Sequence, residues 1–274
     1  MNEADLLAHA RDTLRAGGIE DAVREAQLLW RASFPKRYED YDAAISDGRI
    51  DAFQRLVIRR AAREPMSHLI GYRDFYEHRF EVTPDVLDPR PDTEALIIAA
   101  LEVPFNRVLD MGTGSGCILL SLLAARKAAH GIGSDLSHAA LDVAQRNADQ
   151  LELAVENRAR FVVSDWFESI DGTFDLIVSN PPYIAADEMN GLSLEVLHEP
   201  RMALTDEGDG LSCYRTIAAG APGHLVAGAW LMVEIGPTQG AAVRAMFEDA
   251  GLTQVGIRPD LDGRDRIVVG QKPL

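Results

Sequence analysis

The stretch Val108-Leu109-Asp110-Met111-Gly112-Thr113-Gly114-Ser115-Gly116 joins an apolar run to a glycine-rich turn, and it decides the fold. The run predicts a buried strand, and the turn opens a helical pattern that starts near Cys117. Glycines permit positive φ angles and let a ligand come close to the backbone. The spacing is Gly-x-Gly-x-Gly, whereas dinucleotide-binding turns have Gly-x-Gly-x-x-Gly. The stretch therefore predicts a strand–turn–helix unit that binds a ligand other than a dinucleotide.

Strand-like and helical patterns alternate downstream of this unit, which is typical of a doubly wound, mainly parallel α/β sheet. The predicted strands cover residues 107–110, 131–134, 160–163, 174–179, 229–235, 254–257 and 266–269. Upstream, apolar residues recur at helical spacing. The sequence thus predicts a helical bundle over residues 1–70, a hairpin linker over 71–84 and an α/β domain over 85–274. In that last domain, Asp92 or Thr93 is predicted to cap a helix that begins near Glu94.

The charge and cysteine content restrict the class of protein. The net charge of −16 argues against a nucleic-acid partner, because such partners usually require a basic face. Arg59, Arg60 and Arg63 could form a local basic patch, but a solvated helix face is the preferred interpretation. No apolar run is long enough for a membrane span, and the N-terminus lacks the order of a signal peptide. The two unclustered cysteines predict reduced thiols in the cytoplasm and no metal site.

Acidic residues end three successive predicted strands. Asp110 could accept hydrogen bonds from an ammonium group, Asp135 from the two hydroxyls of a ribose, and Asp165 from an adenine amine bordered by Trp166. A single Asp at a strand end is more often a turn residue or a helix cap. The ordered set fits S-adenosylmethionine. The predicted cofactor-binding residues are Asp110, Gly112, Thr113, Gly114, Gly116, Asp135, Asp165, Trp166 and Asn180.

The tetrapeptide Asn180-Pro181-Pro182-Tyr183 directly follows the predicted strand 174–179. Its prolines end the strand and lead the chain away along a stiff path. The alternative is an ordinary proline-rich turn. The Asn180 side-chain oxygen and the Pro181 carbonyl could each accept one N–H of a planar NH₂ group, with Tyr183 packed on its flat face. The loop is therefore predicted to align a poorly nucleophilic nitrogen for methyl transfer without an acid–base pair.

With these motifs, the chain resembles the release-factor glutamine N5-methyltransferases, the HemK/PrmC family. Asp88 is a departure, because the family usually has an apolar residue there. The resemblance covers almost the whole chain. The motifs that carry it are Gly71-Tyr72-Arg73-Asp74-Phe75-Tyr76, Pro89-Arg90-Pro91-Asp92-Thr93-Glu94, the glycine turn, Asn180-Pro181-Pro182-Tyr183-Ile184, Glu199-Pro200, Ala203-Leu204, Asp209-Gly210-Leu211, Tyr214-Arg215, Glu234-Ile235-Gly236 and Gly263-Arg264-Asp265-Arg266.

The resemblance implies a Rossmann-like, seven-stranded class I methyltransferase domain preceded by a small helical domain and a hairpin. It implies methylation of the glutamine amide in the Gly-Gly-Gln loop of peptide-chain release factors, with S-adenosylhomocysteine as the product. Asn180, Pro181 and Tyr183 would be catalytic. The substrate would also contact Pro182 and Arg90, although Arg90 could instead be a solvated surface charge.

Several alternatives remain open from the sequence. The helical bundle is either a substrate-docking module or a stabilising cap. A ribosomal-protein glutamine methyltransferase would have the same catalytic loop, and so would a DNA adenine N6-methyltransferase acting on a flipped base. A non-catalytic nucleoside-binding protein would have no use for Asn180. We expect a cytoplasmic monomer that acts without direct contact with nucleic acid or membrane.

Overall fold

The computed structural model describes residues 2–34, 47–151 and 158–274, which form two compact units. One unit comprises residues 1–72 together with the short segment Ser193–His198, and the other comprises Arg73–Leu192 and Glu199–Leu274. Over the described ranges, no helix is long and apolar enough to cross a membrane.

The first unit is helical. Its helices are α1 (Glu3–Ala16), α2 (Ala22–Ser33), α3 (Asp47–Ala61) and α4 (Met66–Ile70). Asn2 caps α1, because its side chain accepts from the backbone N–H of Asp5 while the Asp5 carboxylate accepts in return. The helices bury a common apolar core that includes Leu6, Leu14, Leu29, Phe53 and Val57. The predicted small helical domain is therefore confirmed.

Of the three arginines at the end of α3, only Arg59 is exposed as the sequence favoured. Arg60 is only 7% exposed, and its guanidinium lies 2.6 Å from Glu25 and 3.2 Å from Glu195. Arg63 contacts Glu195 at 2.7 Å, and Arg59 pairs with Glu64. The expectation was wrong for Arg60 and Arg63 because their partners Glu25 and Glu195 come from α2 and from a distant segment, so their proximity could not be predicted from α3.

The second unit begins with a hairpin of β1 (Tyr72–Phe75) and β2 (His78–Glu81), as predicted. The Glu94 carboxylate accepts from the backbone N–H of Tyr76 at 2.9 Å. On the other strand, the Asn147 side chain accepts from the Glu81 N–H and donates to the Glu81 carbonyl. These contacts hold the hairpin against the helices that flank the sheet.

A seven-stranded sheet forms the centre of this unit, in the order β5-β4-β3-β6-β7-β9-β8. Only β9 is antiparallel to its neighbours, and it lies between β7 and β8. The strands are β3 (Arg107–Met111), β4 (His130–Asp135), β5 (Ala159–Val163), β6 (Phe174–Ser179), β7 (Leu225–Glu234), β8 (Thr253–Pro259) and β9 (Asp265–Gln271). The predicted mainly parallel, Rossmann-like sheet is confirmed.

Helices cover both faces of the sheet over two apolar cores. They are α5 (Glu94–Leu101), α6 (Cys117–Ala125), α7 (His138–Gln150), α8 (Ser212–His224) and α9 (Gly240–Asp249). The strand order reverses between β3 and β6, which pair in parallel register from Val108↔Leu176 to Met111↔Ser179. In open α/β sheets, ligands bind beyond the carboxyl ends of the strands at such a reversal. The architecture therefore places the glycine turn and the Asn180 loop at a shared sheet edge.

Candidate active site

A cavity of about 560 Å³ lies at this edge of the sheet. The carboxyl ends of β3, β4, β5 and β6 all contribute to its wall. The predicted site residues that line it are Gly112, Gly114, Asp135, Asp165, Trp166, Asn180 and Pro182. Apolar residues that were not predicted also line it, among them Val86, Leu136, Pro200 and Met202. The structure thus brings the glycine turn and the Asn180 loop together, as the parallel topology requires. Gly112 and Pro182 are 70 positions apart in the sequence.

The glycine turn adopts backbone conformations that side chains disfavour. Gly112 and Gly114 have φ angles of +68° and +54°, and a Cβ on either would meet open space. Glycine is therefore needed there for its conformation, and the open space lets a ligand approach the backbone. The buried Asn147 side chain donates to the Ser115 carbonyl at 2.9 Å. Asn147 was missed in the sequence because it is one polar residue on an otherwise ordinary amphipathic helix.

Asp110 lies behind the turn and does not line the cavity. Its side chain is fully buried, and Oδ2 accepts from Thr113 Oγ1 at 2.7 Å and from the Leu119 N–H at 3.3 Å. Its Oδ1 has no partner among the described residues. Burial raises the pKa of Asp110 to about 7. Thr113 and Gly116 likewise lie outside the cavity wall, so the cofactor contacts assigned to these three residues stay predictions.

Asp135 ends β4 and faces the cavity. Its Oδ2 accepts from the Gly114 N–H and its Oδ1 from the Ser137 N–H, both at 2.9 Å. Burial raises the pKa of this carboxyl despite these hydrogen bonds. Each oxygen keeps a free lone pair, because a carboxylate has about four acceptor sites. Asp135 can therefore accept further hydrogen bonds from a ligand while it fixes the glycine turn.

Trp166 follows β5 in a left-handed backbone conformation, with φ of +48°. This conformation is costly for a bulky residue, and it persists only where neighbouring contacts enforce it. Here the Ser164 hydroxyl donates to the Trp166 carbonyl at 2.9 Å and accepts from the Ser169 N–H. Asp165, beside it, is exposed at the cavity. The turn thus presents one flat ring and one carboxylate to the same ligand space.

The Asn180 loop is held at both ends. Asn180 Nδ2 donates to Thr93 Oγ1 at 3.2 Å. At the other end, Gln239 Nε2 donates to the Tyr183 carbonyl at 2.8 Å and to the Gly210 carbonyl at 3.0 Å. Gln239 Oε1 accepts from the Gly236 N–H at 2.9 Å. The loop is therefore fixed by two side chains, Thr93 and Gln239, which come from two other segments of the chain.

Pro181 and Tyr183 do not line the cavity. Pro181 is buried, and the Tyr183 ring is half-buried against the apolar core on one face of the sheet. Burial, together with the nearby Glu234, raises the pKa of Tyr183 to about 12. The phenol therefore stays protonated at neutral pH and does not serve as a base. The catalytic roles assigned to Pro181 and Tyr183 stay predictions.

Thr93 occupies the N-cap position of α5, which begins at Glu94 as predicted, but its side chain makes no capping hydrogen bond within the described residues. Among those residues, the Asp92 side chain makes no capping hydrogen bond there either. Thr93 instead contacts Asn180, and Asp92 lies 3.0 Å from Arg266. The cap position was predicted correctly, but the capping hydrogen bond was not, because long-range partners compete with the local backbone for these side chains.

Arg90 lies in an ion pair and not on the cavity wall. Its guanidinium is 2.6 Å from Glu199, whose side chain is 1% exposed. The Glu199 carboxylate also accepts from the Asp88 N–H at 3.4 Å, and both Asp88 oxygens bond the Arg73 guanidinium. The interpretation of Arg90 as a solvated surface charge is therefore wrong. Asp88, the departure from the family pattern, is buried because Arg73 neutralises it.

Comparison with known proteins identifies relatives of both units. Residues 5–71 match a family described as the PrmC N-terminal domain, and residues 89–213 match the methyltransferase small domain. The release factor glutamine methyltransferase of Cereibacter sphaeroides is 49% identical, over 100% of this chain and 99% of its own. That of Caulobacter vibrioides is 40% identical, over 96% of this chain and 94% of its own.

Solved structures support the fold. A methyltransferase from Pyrococcus furiosus superposes with a TM-score of 0.54, covering 71% of this chain and 89% of its own. Its sequence is 16% identical, so this likeness concerns the fold alone.

Proposed function

The chain belongs to the family of release factor glutamine methyltransferases, and from this premise we propose how its site acts. It methylates the side-chain amide nitrogen of the glutamine in the Gly-Gly-Gln loop of a peptide-chain release factor, and the methyl donor is S-adenosylmethionine. One observation carries the proposal: Asn180 and Asp135 line the same cavity. A group that can align an amide thus lies beside a group that can bind a nucleoside.

The chemistry of the cavity wall fits S-adenosylmethionine. Asp135 would accept from the ribose hydroxyls, Asp165 from the adenine amine, and the Trp166 ring would border the base. The free space above Gly112 and Gly114 would admit the amino-acid part close to the backbone. When bound, S-adenosylmethionine would supply a methyl group on a cationic sulfonium. Transfer would leave S-adenosylhomocysteine and the N-methylated amide, and one amide proton would be released to water.

The role of the protein in this reaction is alignment. An amide nitrogen is a weak nucleophile because its lone pair is delocalised into the carbonyl. The Asn180 side-chain oxygen and the Pro181 carbonyl each accept one hydrogen of the substrate NH₂, which holds the nitrogen with its face toward the methyl donor. Tyr183, protonated and half-buried, packs at the substrate amide. Orientation of this kind can contribute roughly 7–11 kcal/mol to lowering a barrier.

The helical unit is proposed to dock the release factor, since residues 5–71 match the PrmC N-terminal domain and the cavity belongs to the other unit. Arg90, paired with the buried Glu199, is proposed to contact the substrate. Because release factors work with ribosomes, the proposal places the reaction in the cytoplasm.

A transfer assay with labelled S-adenosylmethionine tests the proposal. The acceptors are a purified release factor, its Gln→Ala loop variant, an unmodified ribosomal protein that is a known glutamine-methylation target, and duplex DNA. Label on the release factor that is lost in its loop variant supports the proposed substrate and atom. Label on DNA or on the ribosomal protein alone would overturn the substrate assignment.

A pair of protein variants tests the role of the loop. Asn180→Ala should abolish transfer while S-adenosylmethionine still binds within about threefold of wild type, because the amide serves mainly the acceptor substrate. The control is Asn190→Ala, an exposed asparagine ten residues along the same chain segment. Near-normal turnover of Asn180→Ala would refute the alignment mechanism.

A further inference from the structure

Thr93 lies between the Asn180 loop and a buried carboxyl group. Its side chain is 2% exposed, and its Oγ1 accepts from Asn180 Nδ2 at 3.2 Å. The Thr93 hydroxyl also interacts with the carboxyl of Glu234, which ends β7 and is 1% exposed, and this interaction favours the charged form of that carboxyl. The three residues are far apart in sequence, and Thr93 and Asn180 alone are separated by 87 positions. They meet because the ends of β6 and β7 are neighbours in the sheet.

The direction of these hydrogen bonds follows from the groups present. A hydroxyl has one hydrogen to donate, and a carboxylate only accepts. When Glu234 is ionised, the Thr93 hydrogen therefore points to it, which leaves a lone pair of Oγ1 to accept from Asn180 Nδ2. A carboxylate is a stronger acceptor than a neutral amide oxygen, so this direction is preferred over the reverse.

Glu234 is held in place by its surroundings. Its backbone carbonyl accepts from the Tyr214 hydroxyl at 2.8 Å. Arg266 favours its charged form and is itself held by Asp92 at 3.0 Å and by Asp260 at 3.3 Å. Glu234 Oε2 has no partner in the described part of the chain. The Thr93 hydroxyl therefore offsets part of the free-energy cost of burying the Glu234 carboxyl.

The hydrogen bond to Thr93 fixes the orientation of the Asn180 side-chain amide. An asparagine side chain can present either its oxygen or its NH₂ group after a half-turn of the amide. Because Nδ2 is bound to Thr93, the amide is held in the orientation that offers Oδ1 as the acceptor for a ligand in the cavity. The flipped amide would present N–H groups to the N–H groups of a substrate amide, and two donors repel each other.

We propose that Thr93 is a positioning residue for methyl transfer: with its hydrogen on Glu234, it binds Asn180 Nδ2 and leaves Asn180 Oδ1 to receive the substrate N–H. The inference rests on the proposed function, since it assumes an acceptor substrate with an NH₂ group. The pKa of Glu234, which burial raises to about 7, is consistent with a carboxyl that lacks a full set of partners.

Two substitutions separate positioning from packing. Thr93→Val keeps the shape of the side chain but can neither donate nor accept, whereas Thr93→Ser keeps the hydroxyl and loses the methyl group. We expect Thr93→Val to lower kcat about tenfold, with KM for the release factor and Kd for S-adenosylmethionine changed less than about twofold. Thr93→Ser should retain kcat within about threefold of wild type. Wild-type kcat in Thr93→Val, or equal losses in both variants, would overturn the inference.

A second measurement does not depend on any acceptor substrate. The side-chain amide signals of Asn180 can be followed by ¹⁵N NMR and assigned by their loss in Asn180→Ala. In Thr93→Val these signals should shift and exchange faster with water, while in Thr93→Ser they should stay near their wild-type positions. Signals that are unchanged in Thr93→Val would overturn the inference.

Failure of the proposed function has a different signature. In that case the wild-type protein transfers no methyl group to the release factor, whatever residue occupies position 93. The Asn180 signals still decide the inference then, because they report the hydrogen bond itself. An active wild-type protein with an unaffected Thr93→Val variant would instead reject the role of Thr93 and leave the function in place.

Discussion

Replacing Asp110 by asparagine should stabilise the protein, and the gain should be larger at pH 8 than at pH 5. Asp110 is fully buried at the end of β3, with one carboxylate oxygen bonded to Thr113 and Leu119. The other oxygen has no partner among the described residues. Burial therefore raises the pKa of Asp110 from its ordinary 3.8 to about 7. A carboxyl with such a pKa costs folding free energy whenever it is ionised.

The size and sign of the effect follow from proton linkage. The folded state binds the Asp110 proton more tightly than the unfolded state does. The protonated carboxyl therefore contributes fully to stability below about pH 4, and this contribution is lost as the pH rises through about 7. A shift of roughly three pKa units corresponds to about 4 kcal/mol when the loss is complete. At pH 5, about 1.5–2 kcal/mol of this stabilising free energy has been lost. The wild type thus loses about 2–3 kcal/mol between pH 5 and pH 8 through this group.

Urea unfolding at both pH values measures the effect. The free-energy difference between Asp110→Asn and wild type should be about 2–3 kcal/mol larger at pH 8 than at pH 5. Costs of the asparagine that do not depend on pH, such as an unpaired N–H, cancel in this comparison. Asp209→Asn is the control, because Arg215 lowers the pKa of the exposed Asp209 and it stays ionised over the whole range. The same difference at pH 5 and pH 8 would refute the reasoning.

Two further substitutions test the supports of the site. Gly210→Ala would place a Cβ 2.4 Å from the Tyr183 carbonyl oxygen, at a residue whose φ is +74°. The kcat should therefore fall at least about tenfold, and the Tm should drop. The control Gly191→Ala has open space around it and should change neither quantity. Equal behaviour of the two alanine variants would contradict this. Arg73→Ala should destabilise the protein by about 1–3 kcal/mol in thermal unfolding, because the buried Asp88 loses its partner, and an unchanged Tm would count against this pairing.

Most of the fold could be predicted because the central strands of its sheet are largely buried. Strands such as β3 and β6 read as short apolar runs between turn residues, and this pattern does not depend on distant partners. The start of β7 was harder, because residues 226–228 are partly exposed and Gly228 has a φ of +78°. The prediction therefore began at residue 229, whereas the strand begins at Leu225.

The cavity wall could also be predicted, because its polar residues directly follow strands. Topology alone brings Asp135, Asp165 and Asn180 to one edge once the strands are parallel. The residues that hold this cavity wall in place could not be predicted from the sequence. Gln239 precedes a helix in an unremarkable position, and Glu234 reads as the end of an apolar strand. Their roles depend on partners dozens of positions away, for which local sequence carries no signal.

These hidden supports bear directly on the proposed chemistry. A mechanism that uses a base can tolerate small errors in geometry, since a proton can be relayed through water. A mechanism that only aligns a weak nucleophile cannot, because its rate depends on the placement of the reacting atoms to within a fraction of an ångström. Such a site needs rigid anchors on both sides of the aligning residue. Thr93 and Gln239 supply them at the two ends of the Asn180 loop, and both are themselves fixed by the end of β7. Substitutions at these anchors should therefore reduce turnover more than they reduce stability or cofactor affinity.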